Sequence, residues 1–163
     1  MGVSERKFGT LPTGEEIKIY HLENKSGAYA EVLSFGAILA KICVPDKTGE
    51  LRDVVLGYDD IEGYEVNGCF FGAIIGRSGN RIENARFFID DKEVVLAENE
   101  NHNNLHSGPN GFEKKLWEVK EISQEKNSVD FFRISPDGEN GFPGEFTVVV
   151  KYEIGRASCR ERV

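Results

Sequence analysis

The decamer EFTVVVKYEI at residues 145–154 has the most regular pattern in the chain. Its apolar side chains occupy every second position, which is the period of a β-strand with one buried face and one wet face. Those side chains are Phe146, Val148, Val150, Tyr152 and Ile154. The decamer follows a turn-rich segment, Pro136–Gly141, that favours a reversal of the chain. The pattern predicts an antiparallel strand that closes one side of a core.

Working outward, similar short apolar stretches recur along the chain, separated by glycine, proline and asparagine. No window keeps an apolar period of about 3.6 residues, so an all-β domain is predicted. Residues 58–67 are predicted to form a surface loop with at most one helical turn. We predict strands at residues 17–20, 28–33, 38–44 and 70–75, a hairpin with arms 85–89 and 93–96, and later strands from residue 117 and over 129–135.

The composition argues against nucleic-acid-binding, membrane-spanning and secreted proteins. The 163 residues carry 28 acidic and 20 basic side chains, a net charge of −8, which argues against a nucleic-acid partner because no basic face is available. No apolar run approaches the roughly 18 residues of a membrane span, and no signal peptide is evident. The three cysteines, Cys43, Cys69 and Cys159, are far apart and indicate a reducing compartment. We therefore predict a cytoplasmic protein without a membrane or nucleic-acid partner.

The last nine residues depart from this pattern. Residues 155–163, GRASCRERV, contain three arginines and no strand or helix period. We predict one domain over residues 1–154, followed by a tail at 155–163 that is foreign to the fold, such as a read-through scar, and disordered. A flexible native tail is the alternative.

The candidate functional residues are Asn80, Arg81 and His106, which lie in glycine-rich turns on either side of the predicted hairpin. Together they offer donors and acceptors that suit a ligand dense in hydroxyl groups, so we predict one wall of a sugar-binding cleft. The alternative is structural: Asn80 bonds its own turn, Arg81 pairs with a surface carboxylate such as Glu83, and His106 is merely exposed.

Aromatic residues near these turns are candidates for apolar faces against a sugar ring, namely Phe71, Phe87, Phe112 and Trp117. Other chemistries find less support. His102 and His106 have the spacing of a zinc pair on a helix, but an asparagine-rich segment is a poor helix. Neither a phosphate-binding glycine loop nor a serine-nucleophile elbow is present.

Three motifs resemble the aldose 1-epimerase (galactose mutarotase) family. The first is FGAIIGRSGNRI at residues 71–82, and the second is NLHSG at 104–108, followed by GFEKKLW at 111–117. The third is SPDGENGFPG at 135–144, which leads into the last strand. They stand in the family's order and spacing, and the resemblance covers residues 10–154. Ser107 stands where the family pattern has a glycine.

The resemblance implies a truncated antiparallel β-sandwich, of the galactose mutarotase-like supersandwich type, that interconverts the α and β anomers of hexoses such as galactose and glucose. It implies hexose binding by Asn80, Arg81 and His106, with His106 as an assisting acid and with neither cofactor nor metal. The family's general acid and general base match no residue here, so the fragment is expected to be inactive alone. The alternatives are a non-catalytic carbohydrate-binding β-domain and a hexose-6-phosphate 1-epimerase relative. The oligomeric state is not predicted.

Overall fold

The computed structural model describes residues 2–155 and the backbone of residues 159–162. The first third of the chain forms one antiparallel sheet. The sheet contains β1 (Gly2–Thr10), β2 (Glu16–Glu23), β3 (Tyr29–Leu33), β4 (Leu39–Pro45) and β5 (Leu51–Asp53). Each strand pairs with its neighbour in sequence, so short turns suffice to connect them.

A second antiparallel sheet is built from the end of the chain. It contains β10 (Glu118–Ser123), β11 (Ser128–Ser135), β12 (Phe146–Ile154) and β13 (Cys159–Arg162), in that order. Between the sheets in sequence lie α1 (Ile61–Val66), β6 (Arg81–Ile82), β7 (Arg86–Ile89), β8 (Lys92–Val95) and β9 (Asn104–Leu105). Three 3₁₀ turns complete the described elements: Glu83–Ala85, Phe112–Lys114 and Glu139–Gly141.

The two large sheets share one core. On the first sheet Tyr20, Leu22 and Val32 face it, and on the second Phe131 and Val150 do so, all less than 5% exposed. The hydroxyl of Tyr152 in β12 donates to the carbonyl of Ala37, 2.8 Å away, which ties the sheets together. This arrangement confirms the predicted all-β sandwich. The predicted inward face of the last strand is confirmed for Val148, Val150, Tyr152 and Ile154, whereas Phe146 at its start is 47% exposed.

Strand β2 is buried on both sides. Tyr20 and Leu22 point into the shared core, whereas Ile17 and Ile19 point into a second cluster with Ile61 and Tyr64 of α1. The predicted single helical turn is therefore a short helix that covers the outer face of the first sheet. Asp60 caps it by accepting a hydrogen bond from the Gly63 amide at 2.9 Å.

The prediction of a buried strand over residues 70–75 is wrong. Phe70 and Gly72 have φ of 56° and 62°, so the chain turns here instead of extending. The close backbone contact inferred from the glycines does exist: Leu39 N donates to Gly72 O at 3.0 Å, and a Cβ on Gly72 would lie 2.0 Å from Leu39 O. Of this apolar run only Ile74 is buried in the shared core, and none of its residues pairs as a strand.

The ends of the chain differ from expectation in two ways. β1 was not predicted, because its polar residues lack alternation; it forms by pairing with β2 over nearly its whole length. In the segment predicted to be a disordered tail, Cys159–Arg162 pairs with β12, which corrects that expectation for these four residues. Residues 156–158 and 163 lie outside the described residues, and the foreign origin of the tail stays a prediction.

Candidate sugar-binding site

A two-residue ladder brings the predicted site residues together. β6 and β9 pair with Arg81 opposite Leu105, and His106 N donates to Asn80 O across the ladder at 2.9 Å. Asn80 N in turn donates to Nδ1 of the His106 ring at 3.0 Å. The predicted convergence of Asn80, Arg81 and His106 is therefore observed, and it results from main-chain pairing between two motifs about 25 residues apart.

The bond to Asn80 selects the tautomer of His106. Because a main-chain N–H can only donate, Nδ1 of the imidazole must accept, and the neutral ring carries its proton on Nε2. Nε2 makes no hydrogen bond within the described part of the chain. The half-buried imidazole thus presents one N–H donor to solvent.

Arg81 is held by Glu100, a residue that no pattern in the sequence indicates. Nε and Nη2 of Arg81 donate to the two carboxylate oxygens at 3.1 and 2.9 Å, and Nη1 donates to Asn80 Oδ1 at 3.3 Å. The hydrogen bonds and charge of Arg81 lower the pKa of Glu100, which keeps the pair ionised. Arg81 thus pairs with Glu100 and not with Glu83, the carboxylate suggested from the sequence.

Ser107 stands where the family pattern has a glycine, and hydrogen bonds of its hydroxyl group stabilise it in that turn. It has φ of 70°, a conformation that favours glycine, and it is 1% exposed. Its Oγ accepts from Ser78 N at 2.7 Å and donates to Ser78 O at 2.9 Å. These bonds tie the two turns together beside His106, so the glycine-like turn is retained.

The aromatic ring beside the imidazole is Phe70. The two ring centroids are 4.8 Å apart with a 65° interplanar angle, an edge-to-face contact. The four aromatics that the sequence suggested for this position contact other rings instead: Phe71 contacts Tyr58, Phe87 contacts Phe142, and Phe112 contacts Trp117. Since Phe70 and Phe71 are adjacent and alike, no sequence signal distinguishes them.

Arg77 joins the first and third motifs. Its guanidinium donates to Oγ and O of Ser135 at 2.8 and 3.0 Å, and to the carbonyls of Pro136, Pro143 and Gly144 at 2.7, 3.1 and 2.7 Å. The five bonds span both ends of the 135–144 loop. Arg77 therefore acts as a structural clamp. Its role in the first motif is to hold the 135–144 loop.

A partly buried ion pair holds the same loop to β11. Arg133, stacked 4.7 Å over the Phe112 ring, donates to both oxygens of Glu139 at 3.0 and 2.7 Å. Burial by itself raises the pKa of Glu139, but hydrogen bonds from Arg133 and Ser135 outweigh it and lower the pKa. The third motif is thus anchored to the core beneath the site.

Two further observations bear on other chemistries. His102 and His106 do not share a partner. Nδ1 of His102 contacts Glu98 at 3.0 Å, and the His102 side chain is 87% exposed. Among residues 2–155, no cluster of three or more His, Cys, Asp or Glu side chains could hold a metal ion. Over the same residues, no helix is long and apolar enough to cross a membrane.

Comparison with known proteins agrees with this architecture. The family model for aldose 1-epimerase matches residues 18–161. Galactose mutarotases from Bos taurus and Homo sapiens are 40% and 41% identical over 155 and 153 residues, 94% and 93% of this chain. Aldose 1-epimerase from Escherichia coli is 35% identical over 143 residues, 88% of the chain.

Solved structures show the same fold. An aldose epimerase homologue from C. elegans superposes with a TM-score of 0.78 at 37% identity, over 83% of this chain and 41% of its own. Galactose 1-epimerase from Lactobacillus acidophilus gives 0.79 at 25% identity, over 93% and 44%. The chain spans 44% of the length of the bovine and human relatives. On the match of the family model and of these relatives, this chain belongs to the aldose 1-epimerase family.

Proposed function

We propose that Asn80, Arg81 and His106 bind a hexose, such as galactose or glucose, as one wall of an anomer-interconverting site. The observation that carries this proposal is the reciprocal bonding of Asn80 and His106, which fixes the imidazole and leaves its Nε2–H exposed. Asn80 Nδ2 likewise makes no hydrogen bond within the described residues. A sugar presents hydroxyls that both donate and accept, so these groups match its chemistry.

The reaction proposed for the whole protein is ring opening and reclosure. A base removes the proton of the anomeric hydroxyl, an acid protonates the ring oxygen, the C1–C2 bond rotates, and the aldehyde recloses on its other face. Here Asn80 and Arg81 would orient hydroxyls, and the Nε2–H of His106 would donate to an oxygen of the sugar and assist as an acid. Each well-placed acid or base contributes roughly 10²–10⁴-fold in rate.

We further propose that these 163 residues bind hexose without accelerating anomer exchange by themselves. The carboxylate in contact with the cluster is Glu100, and both of its oxygens are engaged by Arg81. A carboxylate whose lone pairs and charge are so used is a poor base at neutral pH. The general acid and general base that the family resemblance implies match no residue of these 163.

We also propose that the protein acts in the cytoplasm on a small hexose. The thiols of Cys43 and Cys69 are free in the structure, which supports a reducing compartment. The acidic composition, with a net charge of −8, supports a neutral sugar over a phosphorylated one, because a phosphate ester needs unpaired cationic groups over the cleft.

One titration tests the proposal. Ligand-observed NMR of galactose and glucose measures binding, and two-dimensional exchange spectra of the same samples measure the interconversion of anomers. We expect binding without exchange above the buffer rate, and about 10- to 100-fold weaker binding for Arg81→Ala, the equivalent of one charged hydrogen bond.

The matched control is Arg86→Ala, an exposed arginine on β7 that pairs with Glu93 at 3.1 Å and should leave binding unchanged. Exchange above the buffer rate would refute the proposed inactivity. Stronger binding of hexose 6-phosphates would favour the phosphate-specific relative. Equal binding by the Arg81 variant and the parent would refute the proposed site.

A further inference from the structure

Glu113 is a buried carboxyl group that the proposed function does not use. It lies in the 3₁₀ turn Phe112–Lys114, just after the loop that connects His106 to Gly111, and it is 2% exposed. Its Oε2 atom is fully buried and has no hydrogen-bond partner among the described residues. Since an unpaired buried carboxylate oxygen is costly, this group requires an explanation.

The orphan oxygen lies beside the main chain of the site. A Cβ on Gly111 would fall 2.4 Å from Oε2 of Glu113 and 3.0 Å from the carbonyl oxygen of His106, so both oxygens border the space left by Gly111. A carbonyl oxygen can only accept. A carboxylate brought against it would face a second acceptor, whereas a carboxylic acid has an O–H to donate.

The surroundings favour the uncharged form. Burial raises the pKa of Glu113, and its own amide and the charges of Lys114 and Lys115 oppose the rise without cancelling it. Lys114 Nζ is engaged by the carbonyls at the end of α1, the nearest being Glu65 O at 2.5 Å, and Lys115 Nζ lies 3.7 Å from Glu139.

No cation among the described residues is hydrogen-bonded to the orphan oxygen, and Arg133 of β11, which lies over the neighbouring Phe112 ring, is paired with Glu139. The turn after β3 contacts the main chain of Glu113 through Gly36, which is not titratable. The 106–111 loop contributes one titratable side chain, His106, whose ring is turned toward Asn80 N. Both neighbouring lysines lie on the same 3₁₀ turn or directly after it.

We propose that the buried Glu113 side chain, in its protonated form, donates its O–H to the carbonyl of His106 and so positions the loop carrying the imidazole. Glu113 acts through the His106 main chain and is a positioning residue. Because the folded-state pKa lies above the ordinary value of about 4.3, the stabilisation is complete below that pH. It is lost as the pH rises through the folded-state pKa.

Two substitutions test this inference independently of any sugar. In Glu113→Gln the amide N–H₂ replaces the acid's donor at every pH, whereas Glu113→Ala removes it. Pulse proteolysis in urea, at submicromolar protein to avoid association, gives the unfolding midpoint of each variant from pH 4 to pH 8. We expect the midpoint of the parent to fall relative to the Gln variant as the pH rises, and the Ala variant to lie roughly 0.5–1.5 M below the Gln variant throughout.

A spectroscopic measurement on the unsubstituted chain completes the test. The Glu113 side-chain carboxyl ¹³C resonance should titrate with a midpoint above about 4.3, and the His106 ring protons should shift at the same midpoint. A midpoint at or below the ordinary value would overturn the proposal. So would a Gln variant with the parent's pH dependence, or an Ala variant as stable as the Gln variant.

Discussion

Replacing Arg77 with alanine tests the clamp between the first and third motifs. Two of its five hydrogen bonds, both to Ser135, are partly buried, whereas those to Pro136, Pro143 and Gly144 are exposed. A charge-assisted bond contributes about 1.5–3 kcal/mol, and exposed carbonyls are rehydrated at little cost. We expect Arg77→Ala to lower the free energy of unfolding by about 3–6 kcal/mol, the contribution of the two partly buried bonds.

The assay is urea unfolding followed by fluorescence of Trp117, the single tryptophan of the chain. It is 3% exposed in the shared core, and its Nε1 donates to Phe112 O at 3.1 Å, so its emission reports loss of the core. The control, Arg86→Ala, removes one exposed ion pair with Glu93 and one exposed hydrogen bond to Asn84 O, and should change the free energy by less than about 1 kcal/mol.

Arg77→Lys separates geometry from charge. A lysine offers a single point charge, which cannot reach carbonyls at both ends of the 135–144 loop, so we expect most of the stability loss to remain. If Arg77→Ala unfolds within about 0.5 kcal/mol of the parent, the five bonds contribute nothing net and the clamp is refuted.

Two further predictions concern the interior. The pKa of Glu139 is held low by Arg133 and Ser135, so its contribution is present at neutral pH and is lost as the pH falls below about 4.3 through the folded-state pKa. Glu139→Gln should therefore be less stable than the parent at pH 7, and the difference should shrink as the pH is lowered from 4 to 2, measured by thermal unfolding; a difference independent of pH would contradict this. Tyr152→Phe removes the buried hydrogen bond to Ala37 O and should cost about 1–2 kcal/mol in urea unfolding, whereas an unchanged midpoint would show that the bond is not needed.

The strands that the sequence predicts are those with a local pattern of apolar side chains. Residues 146–154 follow from the alternation of side chains, and the hairpin arms, observed as β7 and β8, follow from two apolar runs on either side of a short polar turn; both signals depend only on neighbours along the chain. β1 was missed because its strand conformation comes from pairing with β2, and its own residues are mostly polar. The apolar run at 70–75 was misassigned because burial and strand pairing give the same composition.

The candidate site shows the same division. Asn80, Arg81 and His106 were identified from residue types in turns and from the family resemblance, and their convergence follows from one short ladder. Glu100 and Phe70 were not identified, because their contacts depend on how the flanking turns fold back.

The sequence by itself determined the β class, the last strand, the hairpin and the three residues of the candidate site. Only the tertiary structure decided that Glu100 holds Arg81, that Asn80 N selects the Nε2–H form of His106, and that Glu113 is sealed behind the same loop. The reason is physical: alternation is a property of consecutive residues, whereas a hydrogen bond is decided by distances of about 3 Å between segments far apart in the chain.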